Sequence, residues 1–520
     1  MKRFFAILMA ICMLASLLCM PAFAAEPTDE LPAPAEGTLI RVTAIKGNEI
    51  VLVGDYTNFE DGWNKAIKES IPLYSKRTGY ERIIVDFYAD WTSANDGNFT
   101  DDGALENNRL GFENDTIYIP DDAKVTVNLN GHTIKRVLPD SISDGEVMYI
   151  DEDADVIINN GTITGGKSTN GAGGIHIHDA NVELNDVHIV GNIADNDDGG
   201  GIALYDGAEL IMTRGSFTNN SIDGVSNNET FDCYGGAIYV EDSKAFFYSV
   251  EFKNNQNTTD EDYGAAIYAD NSVVYLSKCT FDGNGIADES KNVCASVAIV
   301  YAADTTLTME KVTFTNNGSY YDDDYIGRSY STTGLLSSLI VLDDSTFKLS
   351  GDSTFTNNAA MFIISVYDDS HLYVEDTTFE NNKSFVMHSV SGNHEDDSYF
   401  KNCTFENNKV LNPENLVEGY INNWIYTFRV YGADLTFIDC KLSDSTYSDK
   451  DCIVFEDTDA PNDRARRYGS IFGEGSLSMI VALFALITSV VCIFLIVDMK
   501  KKLVSATARN TSENEDEDEE

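Results

Sequence analysis

Two short elements recur along this 520-residue chain at a nearly constant separation, and that constancy limits the fold more than any other feature. The first is a small-residue turn running into a strand, as in Gly235-Gly236-Ala237-Ile238-Tyr239-Val240. The second is an apolar marker ahead of asparagine, as in Glu251-Phe252-Lys253-Asn254-Asn255. From strand residue to marker the chain advances 14 or 15 residues: Ile175 to Ile189, Ile202 to Phe217, Ile238 to Phe252, Ile267 to Phe281, Ile299 to Phe314, Ile340 to Phe355 and Ile364 to Phe379. From marker to the next strand the distance swings from 9 residues (Phe355 to Ile364) to 26 (Phe314 to Ile340). Each unit is too small to bury its own apolar face, so neighbours must stack, and length that varies at one corner collects insertions on one side of a solenoid.

Eleven markers can be followed: Ile134, Ile163, Ile189, Phe217, Phe252, Phe281, Phe314, Phe355, Phe379, Phe405 and Leu442. Asparagine stands three residues after eight of them, at 192, 220, 255, 284, 317, 358, 382 and 408. Markers stacked inside at strand spacing, ~4.8 Å per rung, predict a rod of roughly 50–60 Å. Asparagine tolerates left-handed turns, and amides repeated at that spacing can form a hydrogen-bonded ladder along the corner. The glycine pairs 173–174, 200–201 and 235–236 permit a tight turn into the following strand. Ahead of the repeats, Phe59 to Tyr74 reads as an amphipathic helix with Asn58 as N-cap and Trp63, Ala66, Ile67 and Ile71 on one face. Pro72 should end or kink it, and such a helix suits a lid over the first open sheet edge.

The repeats resemble those of the right-handed parallel β-helix proteins, whose broad superfamily includes the pectate lyases. They are similar to the polymorphic outer-membrane-protein repeat with its GGAI and FxxN elements: Gly235-Gly236-Ala237-Ile238 and Phe252-Lys253-Asn254-Asn255 match both, and the likeness covers about Ile117 to Phe455. The resemblance implies an all-β fold, a right-handed parallel β-helix of about 11 or more rungs with an N-terminal capping helix, plus one transmembrane helix. It carries little about function, because β-helices serve lyases, hydrolases, adhesins and structural rods alike. Outer-membrane relatives end in a membrane barrel, whereas this chain ends in one apolar helix, which favours a cell with a single membrane, of the Gram-positive type.

Lys2-Arg3, an apolar run from Phe4 to Met20 and Ala22-Phe23-Ala24 read as a signal peptide over 1–24. Residues 25–38 form a flexible lead-in, 39–82 the N-terminal strands and helix, 83–456 the β-helix and 457–476 a juxtamembrane stalk. Leu477 to Val497 is 21 residues without a charge, a helix of ~31 Å against a hydrocarbon core of ~30 Å, and Lys500-Lys501-Lys502 mark a cytoplasmic flank. Residues 498–520 are an acidic cytoplasmic tail. This organisation predicts a single-pass cell-membrane protein with an extracellular bulk. A net charge of −50 repels nucleic acid and anionic membrane and attracts cations.

The insertion corner is where ligand contact is expected. Its loops carry Tyr234, Tyr263, Tyr320, Tyr321, Tyr325, Tyr420, Trp424 and Tyr426 beside carboxylates, a pattern that suits sugars, since ring faces meet C–H groups and polar atoms meet hydroxyls. Solvated loop residues of an acidic exported chain are the plainer alternative. Calcium could sit among Asp322, Asp323 and Asp324, or among Asp195, Asp197 and Asp198, although no DxDxDG loop is present. His176 and His178 share one strand face, with His188 in the same rung, and read as solvent-facing. Six cysteines in the exported part are too few for a disulfide scaffold. Cys403 and Cys440, each two residues before a marker in successive rungs, form the one candidate pair, while Cys233 and Cys294 stand two rungs apart. No catalytic pair can be singled out among so many aspartates. The leading expectation is therefore a non-catalytic surface rod for adhesion or for recognition of glycans, host surfaces or neighbouring cells. A surface-held polysaccharide lyase or glycoside hydrolase is the first alternative, and a structural spacer of the envelope the second.

Overall fold

Every rung lays down strands whose residues alternate in and out, as in Lys244–Tyr248, where Ala245 and Phe247 point inward and Lys244, Phe246 and Tyr248 outward. The computed structural model describes residues 31–93, 112–113, 116–137, 145–223, 233–257, 263–285, 298–318, 338–390, 398–408, 428–429, 435–442, 453–456 and 458. Within these the chain is a parallel β-helix. One strand per turn, such as Ile238–Glu241, joins a twelve-stranded sheet, and two, such as Lys244–Tyr248 and Glu251–Lys253, join a 24-stranded sheet. A short strand after the asparagine, such as Gln256–Asn257, joins a four-stranded sheet. Among the described residues no helix is long and apolar enough to cross a membrane, and the expected signal (1–24) and membrane span (477–497) lie outside those residues.

The marker column is in register throughout: Ile134, Ile163, Ile189, Phe217, Phe252, Phe281, Phe314, Phe355, Phe379, Phe405 and Leu442 pair one above the next. All are fully buried. From Phe217 to Phe405 the successive rings stack nearly parallel with centroids 4.2–5.1 Å apart. Trp91 extends the column by one rung, opposite Ile134.

The asparagine ladder is continuous from Asn192 to Asn408. Asn284 shows its unit: the side-chain oxygen accepts the backbone and the side-chain N–H of Asn255, each at 3.0 Å. Its own amide donates to Phe252 O and to Asn317 Oδ1, each at 2.9 Å. The two roles expected of asparagine fall on different residues of the Asn-Asn pair. The first takes the left-handed backbone, as at Asn219, Asn254, Asn316, Asn357, Asn381 and Asn407 (φ 52–58°), and the second turns inward as the ladder rung. A hydroxyl ladder runs along another corner, with the N–H of Ser243, Ser272, Thr305 and Ser345 each donating to the next hydroxyl at 2.9–3.1 Å.

Three expectations change. The cap is more than a lid. β1 (Ile40–Lys46) pairs antiparallel with both β2 (Glu49–Tyr56) and β3 (Arg82–Phe87), and β3 starts the parallel stack against Lys124–Asn128. α1 (Phe59–Ser70), capped by Asn58 Oδ1 accepting the Asp61 N–H at 2.8 Å, packs the buried Phe59, Trp63, Ala66 and Ile67 beneath it. Ile71 is extended, and Pro72 opens a second helix, α2 (Pro72–Thr78), that ends at left-handed Gly79. Nor is variable length confined to one corner. The register sets Met387 opposite Ile364, yet Phe405 follows Met387 by 18 residues, because the turn between Val390 and Tyr399 is also extended.

The Cys403–Cys440 bridge is not made either: both are buried thiols, like Cys233 and Cys279. They occupy an interior turn slot filled elsewhere by Val250 and Val312, and they follow left-handed Asn402 and Asp439. Each sulfur is directed at main-chain carbonyls, Cys403 to Lys401 O and Cys440 to Phe400 O and Ile438 O, all at 3.3 Å. Burial and the neighbouring sulfur push the Cys403 thiol up.

Replacing Asn284 by Ala strips partners from buried groups of Asn255, Phe252 and Asn317, each worth about 1–3 kcal/mol. We expect a loss of roughly 3 kcal/mol or more. Asn254→Gly removes only a left-handed turn side chain and should change stability by a few tenths. Urea unfolding midpoints compare the two directly; equal effects would mean the ladder is not a stabilising element.

Candidate functional site

The inward Ile, Met and Val residues of the twelve-stranded sheet leave its alternate positions facing outward, and there the aromatics gather. Register places Tyr118, Tyr149, His176, Ala203, Tyr239, Tyr268 and Tyr301 in one outward column. Ala203 leaves a gap, which Tyr205 fills from the next outward position on the same strand. The rings then form an unbroken strip: 5.9 Å from Tyr118 to Tyr149, 4.6 Å to His176, 4.9 Å to Tyr205, 5.4 Å to Tyr239, 5.6 Å to Tyr268 and 5.3 Å to Tyr301. The last two contacts are nearly parallel stacks.

A second row lies at the strand entry. Tyr234 bridges to Tyr263, with centroids 5.8 Å apart, and stacks at 4.3 Å on Tyr268, while Tyr263 meets Tyr301 edge-on at 4.8 Å. Tyr239 and Tyr268 are the buried floor; Tyr205, Tyr234, Tyr263 and Tyr301 are half-buried. A strand's next outward position is two residues on, so a carboxylate column flanks the rings: Asp151, Glu241, Asp270 and Asp343. Tyr118 donates to Asp151 at 2.5 Å and Tyr301 to Asp343 at 3.1 Å. Between Tyr118 and Ser365 neither outward column contains a Lys or Arg.

Burial dominates the electrostatics. It holds the Tyr205, Tyr239, Tyr268 and Tyr301 phenols well above their usual range, with neighbouring carboxylates adding to the effect, Asp198 for Tyr205 and Tyr239, Asp270 for Tyr268 and Asp343 for Tyr301. Burial likewise raises Glu241, helped by Asp242 and Asp270, and raises Asp270, helped by Asp304.

Of the residues singled out in the sequence, the strip contains Tyr234 and Tyr263. Tyr320, Tyr321, Tyr325, Tyr420, Trp424, Tyr426 and the aspartates 322–324 lie outside the described residues. Asp195, Asp197 and Asp198 are not gathered for a metal. Asp195 pairs with Lys167 at 2.8 Å, Asp197 accepts the Gly171 N–H at 2.8 Å, and Asp198 accepts the Tyr234 N–H at 2.6 Å. Asp343, Asp344 and Asp368 do bring three carboxylate oxygens within 4.8 Å of one another.

His176 and His178 share the outer face as expected, but His176 is not solvated. Its ring is held between Tyr149 and Tyr205 with 16% of the side chain exposed. His178 lies 3.0 Å from Asp206 and 3.5 Å from Asp151, and His188 faces Ser216 on the other sheet. Tyr118, Tyr149, Tyr239, Tyr268 and Tyr301 were missed, although each directly follows an inward strand residue (Ile117, Met148, Ile238, Ile267 and Val300), and that recurrence was the available signal. The chain matches no protein-family model, no curated protein and no solved structure.

Burial, with the nearby His178 charge, lowers the His176 pKa to about 4. A base whose folded value lies below its unfolded value, ~6.5, contributes stability that is complete above ~6.5 and is lost as pH falls from there toward about 4, because the unfolded chain then binds more protons. The slope is at most ~1.4 kcal/mol per pH unit, on the order of 3 kcal/mol across the window. His176→Phe keeps a ring in the stack without the proton. Unfolding measured from pH 7 to pH 4 should show a shallower decline for the variant than for the parent, and parallel curves would refute the assignment.

Proposed function

We propose that this chain is a membrane-anchored cell-surface β-helix that recognises glycans through its aromatic strip, without catalysis. The observation that carries the reading is the unbroken run of rings from Tyr118 to Tyr301, flanked along its length by carboxylates. Sugar C–H faces lie on tyrosine rings, while carboxylates accept hydroxyl hydrogens and fix orientation. A rigid rod supports an extended polymer better than a closed pocket would, since the rings repeat at rung spacing. The signal sequence, the apolar segment 477–497 and Lys500-Lys501-Lys502 support an extracellular strip on a single-pass protein of a single-membrane bacterium. The repeat elements support kinship with the pectate-lyase-like superfamily and the polymorphic outer-membrane-protein type.

A specific cluster favours a second reading, a surface-held polysaccharide lyase or hydrolase. At the N-terminal end of the strip, Asp151 accepts from Tyr118 and lies beside His178, whose far side meets Asp206. Burial and the Asp151 charge raise Asp121, while hydrogen bonds from Tyr118, the Glu152 N–H, Asp121 and His178 hold Asp151 low despite its burial. One protonated and one ionised carboxyl is an acid–base pairing, but hydrogen-bond contact between them is closer than the ~5 Å or more that glycoside hydrolases place between theirs.

The full chain in detergent, applied to a glycan array, should bind a subset of polysaccharides. Tyr263→Ala and Tyr301→Ala should each weaken binding by about tenfold, or ~1.4 kcal/mol. No binding to any glycan, together with undiminished attachment of cells lacking the protein, would remove the reading. New reducing ends or unsaturated products that disappear in Asp151→Asn would install the second.

A further inference from the structure

The rings of the strip account for a sugar; the acids beside them call for something more. Glu241 and Asp270 stand directly opposite in register on adjacent strands, and like charges in that position destabilise a sheet. Each shares its strand face with a ring two residues back, Tyr239 and Tyr268, and one rung further Tyr301 donates to Asp343 at 3.1 Å. Asp198 adds a fourth carboxylate at the strand entry, bonded to the Tyr234 N–H. No Lys or Arg shares the two outward columns between Tyr118 and Ser365, so the chain itself supplies these acids with no fixed cation there. Nothing in the fold requires the acids: the equivalent outward position on the next strand is Ala303.

A neutral sugar would cover the rings and leave this charge unrelieved, and a uronic acid polymer would be repelled by it. An ammonium group close over a tyrosine face is attracted by the ring and, one column across, by a carboxylate. A pyranose ring provides the flat face that the stacked tyrosines match, and a chain of such rings runs along the column. We propose that the strip takes a polysaccharide of amino sugars carrying free primary amines, so that each sugar face lies on a tyrosine and its ammonium meets Glu241, Asp270 or Asp343. This deepens the glycan reading and rests on it. Burial and the facing acids raise Glu241 and Asp270, and a bound ammonium would relieve both.

The test uses the full-length chain in detergent with a glucosamine oligosaccharide and its N-acetylated counterpart of the same length, titrated by calorimetry. The amine form should bind at least about tenfold more tightly at low salt, and the advantage should shrink as salt rises. In the double variant Glu241→Gln, Asp270→Asn the ratio of the two affinities should fall toward one. That variant removes a repulsion, so an unfolding temperature at or above the parent's checks that it folds. Equal affinity for the two sugars, or a ratio unchanged in the double variant, overturns the amine inference and leaves glycan recognition standing. Binding of neither sugar overturns both for this ligand class. Oligolysine binding as tightly as the amine sugar would show that charge alone is read and would overturn the amino-sugar assignment.

Discussion

An asparagine amide inside a β-helix has four hydrogen-bonding valences and no water to fill them. An identical amide one rung away, together with the backbone beside it, fills all four. Asn284 donates to Phe252 O and Asn317 Oδ1 and accepts twice from Asn255. The arrangement works only if every rung places its asparagine at the same height and angle, which is why the interval from strand to marker is held at 14 or 15 residues through the middle of the rod. The stacked phenylalanines obey the same condition, since parallel rings 4.2–5.1 Å apart tolerate no slip in register. Polar ladder and apolar column therefore impose one constraint from two directions.

The constraint acts on the outside as well. A register that superposes identical inward side chains also superposes the outward ones, so a tyrosine recurring after each inward strand residue becomes a continuous strip without further instruction. The carboxylates two positions on are aligned by the same geometry, Glu241 over Asp270, and alignment that favours rings disfavours charges. Stacking thus concentrates both the apolar surface and the electrostatic tension of the molecule on one face of the twelve-stranded sheet. His176 shows how strongly that face is organised by rings: an imidazole is kept between Tyr149 and Tyr205 at the expense of its proton.

How much of this was legible follows from whether a feature depends on spacing or on neighbours. The marker column, the ladder asparagines and the helical face of Trp63, Ala66 and Ile67 all follow from periodicity, and all stand where the spacing puts them. Tyr234 and Tyr263 were found because they sit at the end of variable loops, where exposed aromatics draw notice. Tyr239, Tyr268 and Tyr301 were passed over because within a repeat they read as ordinary strand residues. The antiparallel pairing of Ile40–Lys46 with Arg82–Phe87 was out of reach, since a strand text does not name its partner. Successive rungs bring Cys403 and Cys440 near each other, but the turn directs each sulfur to main-chain carbonyls instead of to its neighbour.

The sequence by itself determined that units of this size must stack, which residues face inward and which asparagines form the ladder, because burial at a fixed period is a one-dimensional property. Only the tertiary structure decided that tyrosines from successive turns, 29 to 35 residues apart along the chain, touch as one strip, and that acids from the same turns line it. Contact between rungs depends on register and on the direction in which each side chain leaves its strand, and neither is written in any single repeat.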